Sequence, residues 1–195
     1  MSLTRRTLTA LGLAAALSAA ALPAYAADPK VKFVTSEGNF TLELYPDKAP
    51  KTVENFLQYV KDKQYDGTIF HRVIKSFMIQ GGGYDKGYKE KPTRAPVKNE
   101  ANNGLKNTTG TIAMARRPDP DSATAQFFIN VVDNTRALDH TAPTPQGWGY
   151  AVFGKVVEGM DTVEKIRNTP TGPGGPFPTD APKKQVTIES ARIVQ

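Results

Sequence analysis

Short runs in which apolar and polar residues alternate recur along the chain from residue 31 onward, and they restrict the possible folds most strongly. The run VKFVTSEGNFTLELY, residues 31–45, alternates on both sides of Ser36-Glu37-Gly38-Asn39, which is typical of a β-hairpin. Because connections of this kind favour antiparallel pairing, the chain is predicted to be mainly β, with about eight strands. The further candidate strands are 69–74, 77–80, 111–115, 127–132, 150–157 and 186–194.

Two stretches have the spacing of an amphipathic helix instead. The segment PKTVENFLQYVKDKQY begins with Pro50, and its apolar residues follow at i, i+3, i+4 and i+7. A second, shorter helix is predicted after Gly159. Their inner faces are Val53, Phe56, Leu57 and Val60 in the first helix, and Met160, Val163 and Ile166 in the second. The pattern fits an antiparallel barrel or sandwich whose ends are covered by two α-helices.

Two segments lack any periodicity. Residues 81–110 are rich in Gly, Lys, Asn and Pro, which predicts a long ordered loop, and such loops are more often functional than idle. Gly81-Gly82-Gly83 at its start lacks the Lys-Ser/Thr of a phosphate-binding loop, so we expect a flexible turn there. The segment TGPGGPFPTDAP, residues 171–182, is incompatible with a helix or a central strand.

The first 26 residues have the order of an export signal: two arginines without an acid, an apolar run over 8–22, and the small-residue site Ala24-Tyr25-Ala26. The apolar run has 15 residues, whereas a membrane span takes roughly 20. We therefore expect residues 1–26 to be a cleaved signal peptide, a mature domain at 27–195 in the periplasm, and no stable membrane insertion after cleavage. Arg5-Arg6 leaves both the general secretory and the twin-arginine routes open.

Composition excludes several function classes for the remaining 195 − 26 = 169 residues. Their net charge is 23 − 19 = +4 without a run of five like charges, so nucleic-acid binding is not indicated. Cysteine is absent, which removes thiol catalysis and thiolate metal sites. His71 and His140 are the only histidines, and neither has a ligand at metal-binding spacing, so no metal and no cofactor are expected.

One arginine interrupts an otherwise largely apolar segment, FHRVIKSFMIQGGG at 70–83. Taken alone, Arg72 would be a surface cation, because arginine is rarely buried without a partner. Taken alone, Phe77, Met78, Phe128 and Leu138 would be core residues. The order of several segments changes this interpretation.

The segments FHRVIKSFMIQGG, GTIAMAR, SATAQFFI and YAVFGKVVEGMD follow one another at 70–82, 110–116, 122–129 and 150–161. Together they closely resemble the cyclophilin family of peptidyl-prolyl isomerases, nearest to its bacterial members, several of which are exported. The resemblance covers residues 31–194 and implies a cyclophilin-like eight-stranded antiparallel β-barrel closed by two α-helices. It also implies an enzyme that accelerates rotation about X–Pro bonds.

The resemblance assigns a role to each residue of a site. Arg72 matches the catalytic arginine, Gln80 the glutamine that holds it and the substrate backbone, and His71 a supporting neighbour. The resemblance thus implies these three as the catalytic group. Ala115 and Arg116 are expected to bind the residue before proline through backbone atoms, and Gln126 lines the neighbouring groove. The substrate-proline pocket is implied at Phe77, Met78, Phe128 and Leu138, with Tyr150 at its rim.

The sequence departs from the family at three of these positions. Arg116 replaces the usual asparagine, and Tyr150 replaces a histidine. Ala137 replaces a tryptophan that contributes to binding cyclosporin, so weak cyclosporin binding is expected.

Two other functions stay open at this level: a proline-binding chaperone with little turnover, and a sugar- or nucleotide-binding barrel. The partners expected for an isomerase are proline-containing unfolded or partly folded polypeptides, bound by a monomer that assists the folding of exported proteins. Rotation about a peptide bond breaks no covalent bond, which suits a chain poor in nucleophiles and metal ligands.

Overall fold

Eight antiparallel strands close into a barrel in the computed structural model, which describes residues 28–194. The predicted mainly-β barrel is therefore confirmed, and the sandwich is excluded. Around the barrel the strands follow the order β1-β10-β3-β4-β6-β5-β7-β2. They are β1 Lys30–Thr35, β2 Gly38–Leu44, β3 Thr68–Ile74, β4 Met78–Asp85, β5 Thr111–Met114, β6 Phe127–Asn130, β7 Val152–Glu158 and β10 Thr187–Val194, while β8 Thr171–Gly174 and β9 Phe177–Pro182 form a separate hairpin.

The interior of the barrel is filled by aromatic side chains. Phe33 and Phe40 face each other across the β1–β2 hairpin, with parallel rings 5.0 Å apart. Phe33 also meets Phe127 of β6 edge-on at 5.5 Å, and Phe56 lies 5.0 Å from Phe153 of β7. These rings are fully buried. Burial of this apolar surface is the dominant favourable contribution to folding, since the chain has no disulfide.

Both predicted helices are present. Helix α1, Pro50–Lys61, buries Val53, Phe56 and Val60 against the core, whereas Leu57 is only partly buried. Helix α3, Met160–Arg167, buries Val163 and Ile166. It begins after Gly159, whose φ of 76° favours glycine and where a Cβ would collide with the Asn39 carbonyl.

A one-turn helix, α2 at Thr135–Leu138, brings the number of helices in residues 28–194 to three rather than two. Its four residues include one buried apolar side chain, Leu138, so the segment is too short to show a helical period.

The expected flexible turn at Gly81-Gly82-Gly83 was wrong, because these glycines continue β4 as far as Asp85. They serve a strand that passes close to large side chains. A Cβ on Gly82 would come within 2.9 Å of ring carbons of both Phe127 and Tyr65. The loop predicted from residue 81 therefore begins after residue 85.

The segment 171–182 lies outside the barrel as a two-stranded hairpin, in agreement with its exclusion from helix and central strand. The predicted signal peptide at 1–26, with residues 27 and 195 of the mature domain, lies outside the described residues. Within 28–194, no helix has the length and apolarity needed to cross a membrane.

Candidate active site

The pleat of β6 divides its apolar residues between two clusters. Phe127 and Ile129 belong to the barrel core, whereas Phe128 points to the opposite face. There it joins a smaller cluster with Met78, Ala113, Leu138 and Val152. The outer surface of the barrel thus carries its own apolar patch beside the strands.

Cross-strand register places a cation next to this patch. Arg72 of β3 pairs with Gln80 of β4, and Gln80 pairs with Phe128 of β6, so the three residues form one row. The register of β3 shifts between Phe70 and Arg72. A bulge of this kind re-aims the side chain that follows it, and bulges are common near functional sites.

Nine residues surround a cavity of about 230 Å³ at this row. Its apolar walls are well packed: Met78 is 2% exposed, Phe128 4% and Leu138 7%. The ring of Tyr150 meets that of Phe128 edge-on at 5.6 Å. The cavity is lined by Arg72, Phe77, Met78, Gln80, Ala115, Arg116, Phe128, Leu138 and Tyr150.

The Arg72 side chain is 43% exposed and lines the cavity. Its nearest anion is Asp180 of the β8–β9 hairpin, with Nε 3.9 Å from Oδ2, which is beyond hydrogen-bonding distance. The guanidinium therefore keeps donors available for a ligand.

Gln80 connects this cavity with a second one. Its Nε2 donates to Oε1 of Gln126 at 3.0 Å. Gln126 lies not in the first cavity but in the second, of about 350 Å³, which shares Gln80, Ala115 and Arg116 with the first. An extended chain bound along both cavities would pass over these shared residues.

His71 does not line either cavity. It is 2% exposed, and its ring packs against Phe177 at 5.2 Å and Tyr84 at 4.7 Å. Burial, with a contribution from the Arg72 charge, lowers the pKa of His71 to about 4. The imidazole is therefore neutral at physiological pH. The structure brings Arg72 and Gln80 together at the cavity and leaves His71 outside it.

Sequence reasoning missed a chain of buried amides behind the cavity. Asn134 Nδ2 donates to the Phe77 carbonyl at 2.8 Å and to Oδ1 of Asn130 at 2.8 Å. Asn130 donates to Asn107 at 3.1 Å, and Asn107 donates to the Tyr150 carbonyl at 3.2 Å. This network holds the backbone carbonyls of Phe77 and Tyr150, two residues that line the cavity. No sequence signal distinguishes such asparagines from ordinary turn residues.

The part of the chain that the structure describes contains no cluster of three or more side chains that could hold a metal ion. The site offers the guanidinium of Arg72, the side-chain amides of Gln80 and Gln126, and an apolar hollow. Such a hollow suits a compact apolar group that lies beside a hydrogen-bond donor.

Comparison with known proteins agrees with this description. The model of the cyclophilin type peptidyl-prolyl cis-trans isomerase/CLD family matches residues 30–193. Peptidyl-prolyl cis-trans isomerase B of Escherichia coli (strain K12) is 56% identical over 163 residues, covering 84% of this chain and 98% of that protein. Peptidyl-prolyl cis-trans isomerase cyp18 of Streptomyces antibioticus is 57% identical over 164 residues, with coverages of 84% and 98%.

Solved structures show the same fold. A cyclophilin type peptidyl-prolyl cis-trans isomerase of Cryptosporidium parvum has a TM-score of 0.68 at 25% identity, covering 86% of this chain and 98% of that one. A second structure of that protein, in the presence of the dipeptide Ala-Pro, gives 0.67 at 26% identity, with coverages of 85% and 99%.

The chain belongs to the cyclophilin-type peptidyl-prolyl cis-trans isomerases. It is an isomerase of the bacterial branch, as the sequence resemblance predicted.

Proposed function

We propose that the enzyme accelerates X–Pro rotation in polypeptides that fold after export, with Arg72 as the catalytic residue. One observation carries the proposal: the guanidinium of Arg72 and the apolar walls at Phe77, Met78 and Phe128 line the same cavity.

The reaction is limited by resonance in the peptide bond, whose rotational barrier is about 18–20 kcal/mol. At the half-rotated state resonance is lost, and the prolyl nitrogen regains a basic lone pair. A donor on Arg72 that reaches this nitrogen stabilises the rotated amide more than either planar form, which is the condition for catalysis. Arginine suits this task because it stays charged and holds its donors in a rigid plane.

The apolar cavity contributes in two ways. It holds the proline ring while the preceding carbonyl rotates, and it excludes water, which strengthens the hydrogen bond from Arg72. A 10⁵-fold acceleration requires about 7 kcal/mol, whereas one charged hydrogen bond supplies roughly 1.5–3 kcal/mol. The remainder is assigned to desolvation and to positioning by Gln80, Gln126 and the backbone at 115–116.

The backbone at 115–116 has a defined share in this positioning. The Ala115 N–H already donates to the Gln126 carbonyl at 3.0 Å. A strand-like contact with the residue before proline therefore falls to the Ala115 carbonyl and the Arg116 N–H.

The clients we propose are proline-containing polypeptides that are unfolded or partly folded in the periplasm. The support for this compartment is the order of charge, apolar run and small residues in 1–26. Since one chain supplies every wall of the cavity, we propose that the enzyme works as a monomer.

A protease-coupled assay tests the catalytic proposal, since the protease cleaves only the trans form of a proline peptide. The mature protein, residues 27–195, is expected to accelerate the slow phase, and the folded Arg72→Ala variant to lose most of that acceleration. Binding of the peptide without acceleration would instead support the proline-binding chaperone.

The proposed compartment needs a separate test. The full chain and a variant lacking residues 2–26 are expressed in a Gram-negative host, and periplasmic and cytoplasmic fractions are blotted. We expect the protein expressed from the full chain to be recovered only from the periplasm, and in a shortened form. Equal cytoplasmic retention of both forms would refute the proposal on export without touching the catalytic one.

A further inference from the structure

The loop between α2 and β7 receives two hydrogen bonds from the side chain of Arg116, beside those from Asn99 to the Gly149 carbonyl and from Asn107 to Asp139. This segment, residues 139–149, is called the rim loop here because it leads directly into Tyr150 at the cavity. Arg116, which follows β5, also lines the cavity. Its guanidinium donates to four backbone carbonyls: Nε to Gly149 at 2.9 Å, Nη2 to Pro145 at 3.1 Å, and Nη1 to Arg117 at 3.0 Å and Pro118 at 3.2 Å.

The same guanidinium stacks on the rim of the cavity. Its central carbon lies 4.7 Å from the centroid of the Tyr150 ring, within the range of a cation–π interaction. Tyr150 in turn contacts Phe128 edge-on. Arg116, Tyr150 and Phe128 therefore form a continuous chain of contacts from the rim loop to the proposed proline pocket.

The backbone at the junction is tightly constrained. Gly149 has a φ of 73°, and a Cβ there would lie 2.6 Å from the Leu138 carbonyl oxygen. The Tyr150 N–H donates to that same carbonyl at 2.8 Å. The Gly149 carbonyl, which receives the Nε bond, thus belongs to the turn that sets the direction of the Tyr150 side chain.

Only arginine can make this set of contacts. Its five N–H donors lie in one plane and reach carbonyls on both sides at once. A lysine offers a single ammonium that is a point charge, and a shorter amide would not reach across the gap.

We propose that Arg116 is a positioning residue: its side chain holds the rim loop and Tyr150 in the conformation that binds the proline ring. The inference rests on the proposed role of the cavity. Since the guanidinium is occupied by four carbonyls, it does not reach the rotating amide, and its loss acts on binding rather than on rotation. Without it, the rim loop loses the hydrogen bond to Pro145 and one of the two to Gly149, and the ordering of this part of the loop on substrate binding weakens binding.

The chain contains its own probe of this loop. Trp148 is the only tryptophan, and it lies in the rim loop with its ring 5.0 Å from that of His140. Its fluorescence therefore reports the conformation of the rim loop without added labels.

The test combines steady-state kinetics on a proline peptide with Trp148 fluorescence and iodide quenching. The variants are Arg116→Ala, Arg116→Lys and the matched control Arg192→Ala. Arg192 makes comparable contacts, with Asp66 at 2.6 and 2.8 Å and the Ala191 carbonyl at 2.7 Å, but lines neither cavity.

For Arg116→Ala we expect KM to rise roughly fivefold to tenfold, while kcat stays within about twofold of wild type. Trp148 should become more accessible to iodide. For Arg116→Lys we expect at most partial recovery, with KM still raised about threefold, because one ammonium replaces a planar array of donors. Arg192→Ala should leave KM, kcat and Trp148 unchanged.

Three results would each overturn the inference: an unchanged KM in Arg116→Ala, a loss confined to kcat, or Trp148 quenching identical to wild type. Full recovery of KM in Arg116→Lys would do so as well, since charge alone would then suffice. If Arg116→Ala does not fold, the lysine variant decides between these outcomes by the same measurements. Failure of the proposed function is distinguishable, because the wild type itself would then show no turnover.

Discussion

Replacing Arg72 by alanine separates catalysis from stability more cleanly than any other change in the cavity. The Arg72 side chain is 43% exposed. Among the described residues its only close anion is Asp180, whose side chain is 36% exposed and whose Oδ2 lies 3.9 Å from Arg72 Nε. Exposed pairs of this kind are worth about 0–1 kcal/mol, so the free energy of unfolding should fall by less than about 1 kcal/mol.

The catalytic loss can be worked from the one hydrogen bond that is removed. A hydrogen bond from a charged donor contributes roughly 1.5–3 kcal/mol, and each 1.36 kcal/mol of activation free energy is tenfold in rate. We therefore expect kcat/KM to fall between about 10-fold and about 150-fold. The decrease should appear in kcat, because Phe77, Met78 and Phe128 still hold the proline ring.

The assay is protease-coupled isomerisation of a proline peptide at low temperature, with urea unfolding followed by circular dichroism on the same samples. Arg72→Lys serves as a partner variant: it keeps the charge but loses the planar donors, so its rate should lie between wild type and alanine. A folded Arg72→Ala enzyme whose kcat/KM stays within threefold of wild type would refute the assignment of Arg72.

Three further changes have defined outcomes. Phe128→Ala removes a wall of the cavity, since Phe128 is only 4% exposed. In urea its free energy of unfolding should fall by about 3–5 kcal/mol, and KM should rise; a fall of less than about 1 kcal/mol would contradict its packing role. His71 has a folded pKa of about 4 against an ordinary value of 6.5, so the unfolded chain binds the extra proton between these values and stability falls as pH decreases from 6.5 to 4. The free energy of unfolding falls by about 3 kcal/mol at the low end of this range. The melting temperature of His71→Phe should therefore depend less on pH between 6.5 and 4 than that of the wild type, and an equal dependence would exclude His71 as the cause. Cyclosporin should inhibit weakly, because Ala137, exposed beside Leu138, offers no indole. Ala137→Trp should strengthen the inhibition, measured by titrating the activity with cyclosporin. Nanomolar inhibition of the wild type would contradict this account.

Local patterning was sufficient for most of the fold. Alternation over 31–45 predicted the β1–β2 hairpin, and the spacing of Val53, Phe56 and Val60 predicted the buried face of α1. It was insufficient where close packing selects glycine, as at Gly82, because a residue chosen for lack of a side chain carries no apolar signal. A strand was therefore interpreted as a turn.

The site was accessible from sequence only through the resemblance. In the run Phe127-Phe128-Ile129 every residue is apolar, so periodicity does not reveal that Phe128 alone faces the cavity. Contacts between distant segments leave no local pattern at all. Asp180 near Arg72, and the Pro145 and Gly149 carbonyls bound by Arg116, come from distant parts of the chain and could not be predicted from neighbouring residues.

Every strand of the barrel has a hydrogen-bonded neighbour on both sides. Proteins that handle incompletely folded chains are exposed to segments seeking an unpaired strand edge, and such pairing is a route to aggregates. The barrel therefore leaves no seam where a polypeptide could be added as a ninth strand. For the unfolded clients proposed above, the barrel itself offers no strand edge on which aggregation could begin.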